Sequence, residues 1–194
     1  MIMNRQLGFS LIEVLVTVFV MSIGVLGLAA LQVTGIRNNI DSFYRSQATV
    51  LAYDMADRMR ANIRGVTNLD YQSVSVPSDP GINCIDSFNT GTRCTTAEIA
   101  DVDLFQWYQS LIAQLPSAQA VVCVDTTDTD GDDAIDLDDS ATYPTLGTLG
   151  AGFCDSGPAL TAPVPNGTSY AIKIWWDESG DGAADQFVAV SFQP

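Results

Sequence analysis

The chain has 194 residues, of which 23 are acidic and 8 are basic, and it contains no histidine. Beyond Gly65 it has two basic and 19 acidic residues, a net charge of −17, which is unsuited to binding nucleic acid through phosphate contacts. The chain also lacks a CxxC pair, a Gly-rich phosphate loop and a GxSxG motif, so an enzyme is not expected.

An apolar segment covers residues 9–31, close to the N-terminus. Its 23 residues are enough to cross the hydrocarbon core of a bilayer, for which a helix needs about 20. Glu13 lies inside this segment, although a buried carboxylate costs about 2.5–3.5 kcal/mol on membrane insertion and needs a partner. No basic residue occurs between Arg5 and Arg37, so the segment itself offers no partner for Glu13.

Three kinds of N-terminal segment compete to explain this pattern. A cleavable secretory signal has a shorter apolar core, of about 7–15 residues. A plain membrane anchor would tolerate Glu13 because this residue lies near the cytoplasmic interface. The stretch GFSLIE, residues 8–13, instead resembles the class III signal of type IV prepilins. In that signal a short basic leader ends in Gly, and the mature chain begins with Phe and carries Glu at its fifth position.

The resemblance implies a processing site and an assembly residue. A membrane-embedded prepilin peptidase would cut between Gly8 and Phe9, remove the leader at residues 1–8 and methylate the new amine of Phe9. Glu13 would then pair with the N-terminal amine of a neighbouring pilin, because buried charges persist only when they are paired. The expected partners are the prepilin peptidase and methyltransferase, other major and minor pilins, the pilus assembly machinery of the inner membrane, and the membrane itself.

Helical periodicity continues beyond the apolar segment. Apolar residues recur at steps of three or four and predict one buried stripe, made of Ile36, Ile40, Tyr44, Ala48, Leu51, Met55, Met59 and Ile63. Two acid–base pairs have the spacing of ion pairs on the other face, Asp54 with Arg58 and Asp57 with Arg60. We therefore predict one helix over residues 9–64, with 9–31 in the membrane or fibre core and Gly65 as the C-terminal cap.

Residues 65–194 are predicted to form an exported globular region. Residues 66–93 are rich in Ser, Asp, Asn, Pro and Gly, which indicates an irregular connection. Thr95 and Glu98 have capping-box spacing, and helical periodicity follows them up to Pro116. Three strands are predicted, over 120–124, 170–176 and 187–192. The predicted fold is α+β and type IV pilin-like, with a small antiparallel sheet packed on the long helix and one extra short helix.

Four cysteines lie in this globular region, which predicts two disulfides in an exported domain and leaves three connectivities open. Cys84 and Cys94 enclose a short loop, whereas Cys123 and Cys154 lie on either side of an acidic stretch. We favour the pairs 84–94 and 123–154, because the second bond would fasten both ends of that stretch to the sheet.

The acidic stretch belongs to an insertion over residues 125–168, and it contains eight acids in 15 residues. Five of them have the spacing of the oxygen ligands in a calcium-binding loop, Asp128, Asp130, Asp132, Asp136 and Asp139. Asp133 stands where such a loop needs Gly, so a solvated acidic loop is the alternative. The Gly-rich turn at 177–185 repeats part of this spacing. Calcium is therefore a candidate ligand, and no cofactor is required.

Further segments resemble the type IV pilus modification protein PilV group of minor pilins, namely GVLGLAALQ, RSQATVLAYDMADRMRAN, WYQSLIAQLP, AVVCVD and IKIWWDE. The resemblance is strongest over residues 8–64 and weakest over 126–168. It implies a minor pilin in pilus assembly or initiation, with adhesion or motility as further roles. Before assembly such a protein would cross the inner membrane once, with its head in the periplasm, and afterwards it would lie in the pilus at the cell surface. Two alternatives remain open: a minor pseudopilin of a type II secretion system, and a calcium-dependent adhesin displayed on a pilin helix.

Overall fold

The computed structural model of the protein describes residues 10–73, 75–82, 84, 93–124, 162–164 and 168–193. The chain divides into two compact units, residues 1–43 and residues 44–194. We call the described part of the first unit, residues 10–43, the stem, and that of the second unit the head. The helices and strands are α1 (Leu11–Ala61), α2 (Ile63–Thr67), α3 (Thr96–Gln114), β1 (Gln119–Val124), β2 (Tyr170–Trp176) and β3 (Gln186–Phe192).

Helix α1 begins in the stem and ends in the head. At its start the Ser10 carbonyl accepts the backbone N–H groups of Glu13 and Val14, at 3.0 and 3.3 Å. Its buried residues all lie in the head and share one side of the helix: Ala48, Leu51, Ala52, Met55, Ala56 and Met59. The predicted stripe is wrong at both ends, because Ile36 and Ile40 are exposed in the stem and exposed Ile63 lies beyond the helix.

The long helix ends at Ala61 rather than at residue 64, and Gly65 is not its cap. Asn62 leaves the helical conformation, with φ −120° and ψ 58°, and its side-chain oxygen accepts the Gly65 N–H at 3.3 Å to cap α2. Gly65 is buried inside α2, where an added Cβ would lie 2.6 Å from Asn62 Nδ2 and 3.1 Å from Tyr71 Cε2. Gly65 is therefore required by close packing around it and not by the end of a helix.

The capping box predicted for the second helical segment is confirmed at the start of α3. Thr95 Oγ1 accepts the Glu98 N–H at 3.2 Å, and the Glu98 carboxylate accepts the Thr95 N–H at 2.7 Å. The Thr95 N–H is the main reason why the pKa of Glu98 lies below its usual range. The helix ends at Gln114, just before the predicted stop at Pro116.

The three strands form one antiparallel sheet in the order β1–β2–β3. Cys123 is opposite Ala171 in the first pair of strands, and Ile174 is opposite Val188 in the second. The bounds of β2 are those predicted, and the other two strands each begin one residue earlier than predicted. The long helix, the extra helix and this small antiparallel sheet confirm the predicted fold class.

Both faces of the sheet are buried at β1 and β2. One face belongs to the core that the sheet shares with the helices, and it contributes Val122, Val124, Tyr170, Ile172, Ile174 and Trp176. The other face carries a separate cluster of Val121, Cys123, Trp175 and Ala184, against which Phe187 packs. Only the helix-covered face was predicted from the sequence, although the continuous apolar runs in β1 and β2 are typical of strands buried on both sides.

The connection that follows α2 packs against the outer edge of β1. Ser73 exchanges two backbone hydrogen bonds with Val122, at 2.8 and 3.0 Å, in an isolated antiparallel bridge. Residues 125–161, which contain Cys154 and all five predicted calcium ligands, lie outside the described residues. The calcium loop predicted there therefore stays a prediction.

Candidate functional site

The stem contains the residue that the sequence analysis predicts for assembly. Glu13 lies in the first turn of α1, where the helix dipole favours a negative charge. It is exposed and is the only charged residue of the stem before Arg37. Within the described part of the chain, no hydrogen-bond donor or cation contacts its carboxylate. Gly8 and Phe9 lie outside the described residues, so cleavage and methylation there stay predictions.

Between Glu13 and Arg37 the exposed side chains of the stem are mostly apolar, and three hydroxyl groups there bond within the helix. One 18-residue window of α1 has a mean hydropathy of 2.6, and none of that window is buried. The hydroxyls of Thr17, Ser22 and Thr34 donate to carbonyls of their own helix, at 2.9, 2.7 and 3.2 Å. Polar groups in lipid need such internal partners. By length and composition, α1 is therefore able to span a membrane.

In the head, two aromatic side chains connect elements that are far apart in sequence. The indole of Trp107 donates to the Leu51 carbonyl of α1 at 2.8 Å, and the Tyr170 hydroxyl donates to the Val66 carbonyl of α2 at 2.6 Å. Burial raises the pKa of Tyr170 far above its ordinary value, so that its hydroxyl remains a donor. Each ring thus fills the core while its polar tip has a partner.

A polar network joins α1, α3 and the connection between α2 and α3. Arg58 contacts Asp103 of α3 at 3.4 Å, and the Tyr71 hydroxyl donates to Asp103 at 2.7 Å. Burial, together with this bond, raises the pKa of Tyr71. The two ion pairs predicted within α1 are also present, at 3.0 Å for Asp54 with Arg58 and 2.6 Å for Asp57 with Arg60. Tyr71 and Asp103 were not predicted from the sequence, because no local pattern connects residues so far apart in the chain.

A disulfide joins Cys84 and Cys94, whose Cα atoms are 5.7 Å apart. Cys94 directly precedes the N-cap residue Thr95, so the bond fastens the connection to the start of α3. Cys123 is fully buried in β1 and is also disulfide-bonded. Its predicted partner, Cys154, lies outside the described residues.

The turn between β2 and β3 uses its carboxylates as hydrogen-bond acceptors. Asp177, which is buried, accepts the N–H groups of Gly180 and Gly182 at 2.6 and 2.9 Å, and Asp185 accepts two further backbone N–H groups. The bond from Gly182 is the main reason why the pKa of Asp177 is lowered. Both glycines have positive φ, 75° and 92°. This geometry is that of a hairpin turn, and the described residues contain no cluster of metal-ligating side chains.

Comparison with known proteins gives two family matches that are adjacent along the chain. Residues 3–29 match the prokaryotic N-terminal methylation motif, which places the chain in the class of prepilin-like precursors. Residues 30–105 match the Tt1218-like family, described as type IV pilin Tt1218. The two matches support a type IV pilin with a class III leader, as the resemblance predicted. No curated protein and no solved structure gives a match.

These matches define the coarse role of the chain. Type IV pilins are structural proteins, and the methylation motif is a site at which the chain is a substrate. The motif implies processing by a prepilin peptidase and assembly with other pilins during pilus biogenesis. Neither match specifies a subfamily of pilins.

Proposed function

We propose that the protein is a minor pilin of the type IV pilus modification protein PilV group and takes part in pilus assembly or initiation. The observation that carries this proposal is Glu13, the one acidic residue in the apolar first half of the stem, with no partner among the described residues. A carboxylate in lipid is costly unless a cation pairs with it. The methylated amine of Phe9 from a neighbouring subunit is the cation that we propose.

The location follows from the same proposal. Before assembly the stem anchors the protein in the inner membrane, with residues 9–31 in the bilayer and the head in the periplasm. After assembly the head is displayed on the pilus at the cell surface. The disulfides of Cys84, Cys94 and Cys123 support this placement, because disulfides form and persist in oxidising compartments.

The test replaces Glu13 by Ala, with Glu13→Asp as the control that keeps the charge. We expect Glu13→Ala to insert at least as well as the unmodified protein, because the removed charge costs about 2.5–3.5 kcal/mol in the membrane. Mass spectrometry should still find its mature N-terminus at methylated Phe9. Its amount in sheared pili, measured by immunoblot against the membrane pool, should fall by about tenfold or more, since each 1.4 kcal/mol of lost pairing is about tenfold.

Two results would contradict the proposal. Normal incorporation of Glu13→Ala into pili would mean that the carboxylate has no role in assembly. A mature N-terminus at Ala30 or beyond would mean that the leader is not processed between Gly8 and Phe9. The control Glu13→Asp should be incorporated better than Glu13→Ala, because it retains the negative charge.

A further inference from the structure

Among the described residues, β3 forms an unpaired edge of the sheet. This strand pairs with β2 on one side, and no described residue outside β2 exchanges a backbone hydrogen bond with Gln186–Phe192. Along an edge strand, every second residue directs its N–H and C=O groups away from the sheet. The seven residues of β3 make this edge about 24 Å long, at roughly 3.4 Å per residue. The opposite edge differs, since Ser73 bridges to β1 there.

The sequence of β3 lacks the features by which proteins usually protect an open edge. The strand QFVAVSF contains no charged residue, no proline and no glycine. Lysine, proline, bulges and inward charges are the common devices that prevent edge-to-edge pairing. Residues 186–190 are half-buried and Ser191 is exposed, so these six residues are accessible to solvent. This neutral stretch lies in a region of the chain whose net charge is −17.

Lys173 of β2 is opposite Ala189 but is buried, and the charged groups at the start of β3 have partners of their own. The Asp185 carboxylate accepts the N–H groups of Glu178 and Ser179 in the turn, at 2.9 and 3.1 Å. The Arg45 guanidinium donates to the side-chain oxygen of Gln186 at the start of the strand. The strand itself, Gln186–Phe192, contains no ionisable side chain.

We propose that β3 pairs, antiparallel and edge to edge, with β3 of a second copy of this chain. The two-fold axis passes through Ala189, which is the register that pairs all seven residues. Val188 is then opposite Val190 of the second copy, and Phe187 is opposite Ser191 of the second copy. Such a contact is self-complementary, and it places β-branched residues opposite each other, which stabilises antiparallel pairs.

Salt dependence distinguishes this contact from association through ion pairs. Two acidic heads repel each other, and the range of that repulsion shortens from about 30 Å at 0.01 M salt to about 8 Å at 0.15 M. Because the paired strands carry no charge, we expect the dimer population to rise with salt. A dimer held by ion pairs would instead weaken as salt is added.

The experiment uses the full-length protein, purified in detergent, with Ala189→Cys as the test variant. Residue 189 is opposite itself across the two-fold axis, so mild oxidation should give a covalent dimer whose 189–189 linkage is found by peptide mapping. The control is Gln109→Cys, which is exposed on α3 and should give no specific dimer. As a second measurement, the distance between spin labels attached at position 191 of the two copies should be consistent with Cα atoms about 15 Å apart, given roughly 3.4 Å per residue along the strand.

A charge at the edge should abolish the contact. Adding Ser191→Asp to Ala189→Cys should lower the cross-linked fraction by about tenfold, because two cross-strand pairs are disrupted in each dimer. Adding Gln109→Asp changes the net charge equally and should leave the fraction unchanged. Absence of the 189–189 link in a protein whose tryptophan fluorescence is native would overturn the proposal. The test uses the purified protein, so its result does not depend on whether the protein is incorporated into pili.

Discussion

The stem and the head are stabilised by different kinds of interaction. In the described stem, hydroxyl groups and backbone amides bond within their own helix, and the apolar side chains are exposed. In the head, hydrogen bonds join residues far apart in sequence, such as Tyr71 with Asp103 and Tyr170 with Val66. The stem therefore depends on local sequence and on an apolar environment outside the chain, whereas the head depends on its own tertiary contacts.

Substitutions should therefore affect one region without affecting the other. The three tryptophans, Trp107, Trp175 and Trp176, all lie in the head and are buried, so tryptophan fluorescence reports on the folding of the head alone. Resistance of the protein to carbonate extraction from membranes reports on the stem. The stability of the head is measured by tryptophan fluorescence and the integration of the stem by carbonate resistance, so the two signals together distinguish changes in the two regions.

The largest effect is expected from Trp107→Ala in the core of the head. Trp107 is 1% exposed and donates to the Leu51 carbonyl. Removing it leaves a large cavity and should lower the free energy of unfolding by about 3–5 kcal/mol, measured by denaturant titration of Trp175 and Trp176 fluorescence. Membrane integration should not change. Loss of both signals would show that the stem depends on the folded head.

The corresponding change in the stem is Val25→Asp. Val25 is exposed on α1, 12 residues after Glu13 and far from the first turn. An aspartate at the centre of a membrane helix costs about 2.5–3.5 kcal/mol, so the carbonate-resistant fraction should fall while tryptophan fluorescence stays native. The control Val25→Leu should integrate normally. Equal integration of Val25→Asp and Val25→Leu would contradict the assignment of α1 as a membrane span.

Gly65→Ala should destabilise the head, although Gly-to-Ala changes inside helices usually stabilise. The new Cβ would lie 2.6 Å from Asn62 Nδ2, which donates to the Thr96 carbonyl at 2.8 Å. Crowding this contact should lower the free energy of unfolding by about 1–3 kcal/mol, and replacing Gly by Ala in a helix should raise it by about 1 kcal/mol. We therefore expect the free energy of unfolding to fall by about 1 kcal/mol in total. The matched control is Gly35→Ala in the stem, where an added Cβ has nothing within 4 Å. A stabilised Gly65→Ala variant would show that Asn62 can move at no cost.

The elements that were predicted well are those with local signals. The capping box of Thr95 and Glu98 and the bounds of β2 follow from residues within a few positions of each other. The break at Asn62 was missed because its cause is tertiary: Asn62 bonds to Thr96, 34 positions away. Gly65 was assigned to a helix end for the same reason, since its contact with Tyr71 depends on the folded head. Glu13 was found because its misfit with the surrounding apolar residues is itself local.

The smallest effect concerns the turn after β2 and its dependence on pH. Asp177 accepts the N–H groups of Gly180 and Gly182, and these bonds hold its pKa below the ordinary value of 3.8. A carboxyl whose pKa is lower in the folded state stabilises the fold above its unfolded pKa, and this contribution is lost as the pH falls through the folded pKa. Asp177→Asn should therefore melt at a lower temperature than the unmodified protein at pH 7.

The difference in melting temperature between Asp177→Asn and the unmodified protein should shrink as the pH falls below about 4, where the carboxylate begins to be protonated in the unfolded chain. Thermal melts at neutral and acidic pH, followed by tryptophan fluorescence, measure it. The matched control is Asp181→Asn, because Asp181 is exposed in the same turn and accepts one backbone N–H, from Ala183. Asp181→Asn should lower the melting temperature by less than Asp177→Asn does at every pH. A difference for Asp177→Asn that is equally large in acid and at neutral pH would mean that the charge of Asp177 does not stabilise this turn.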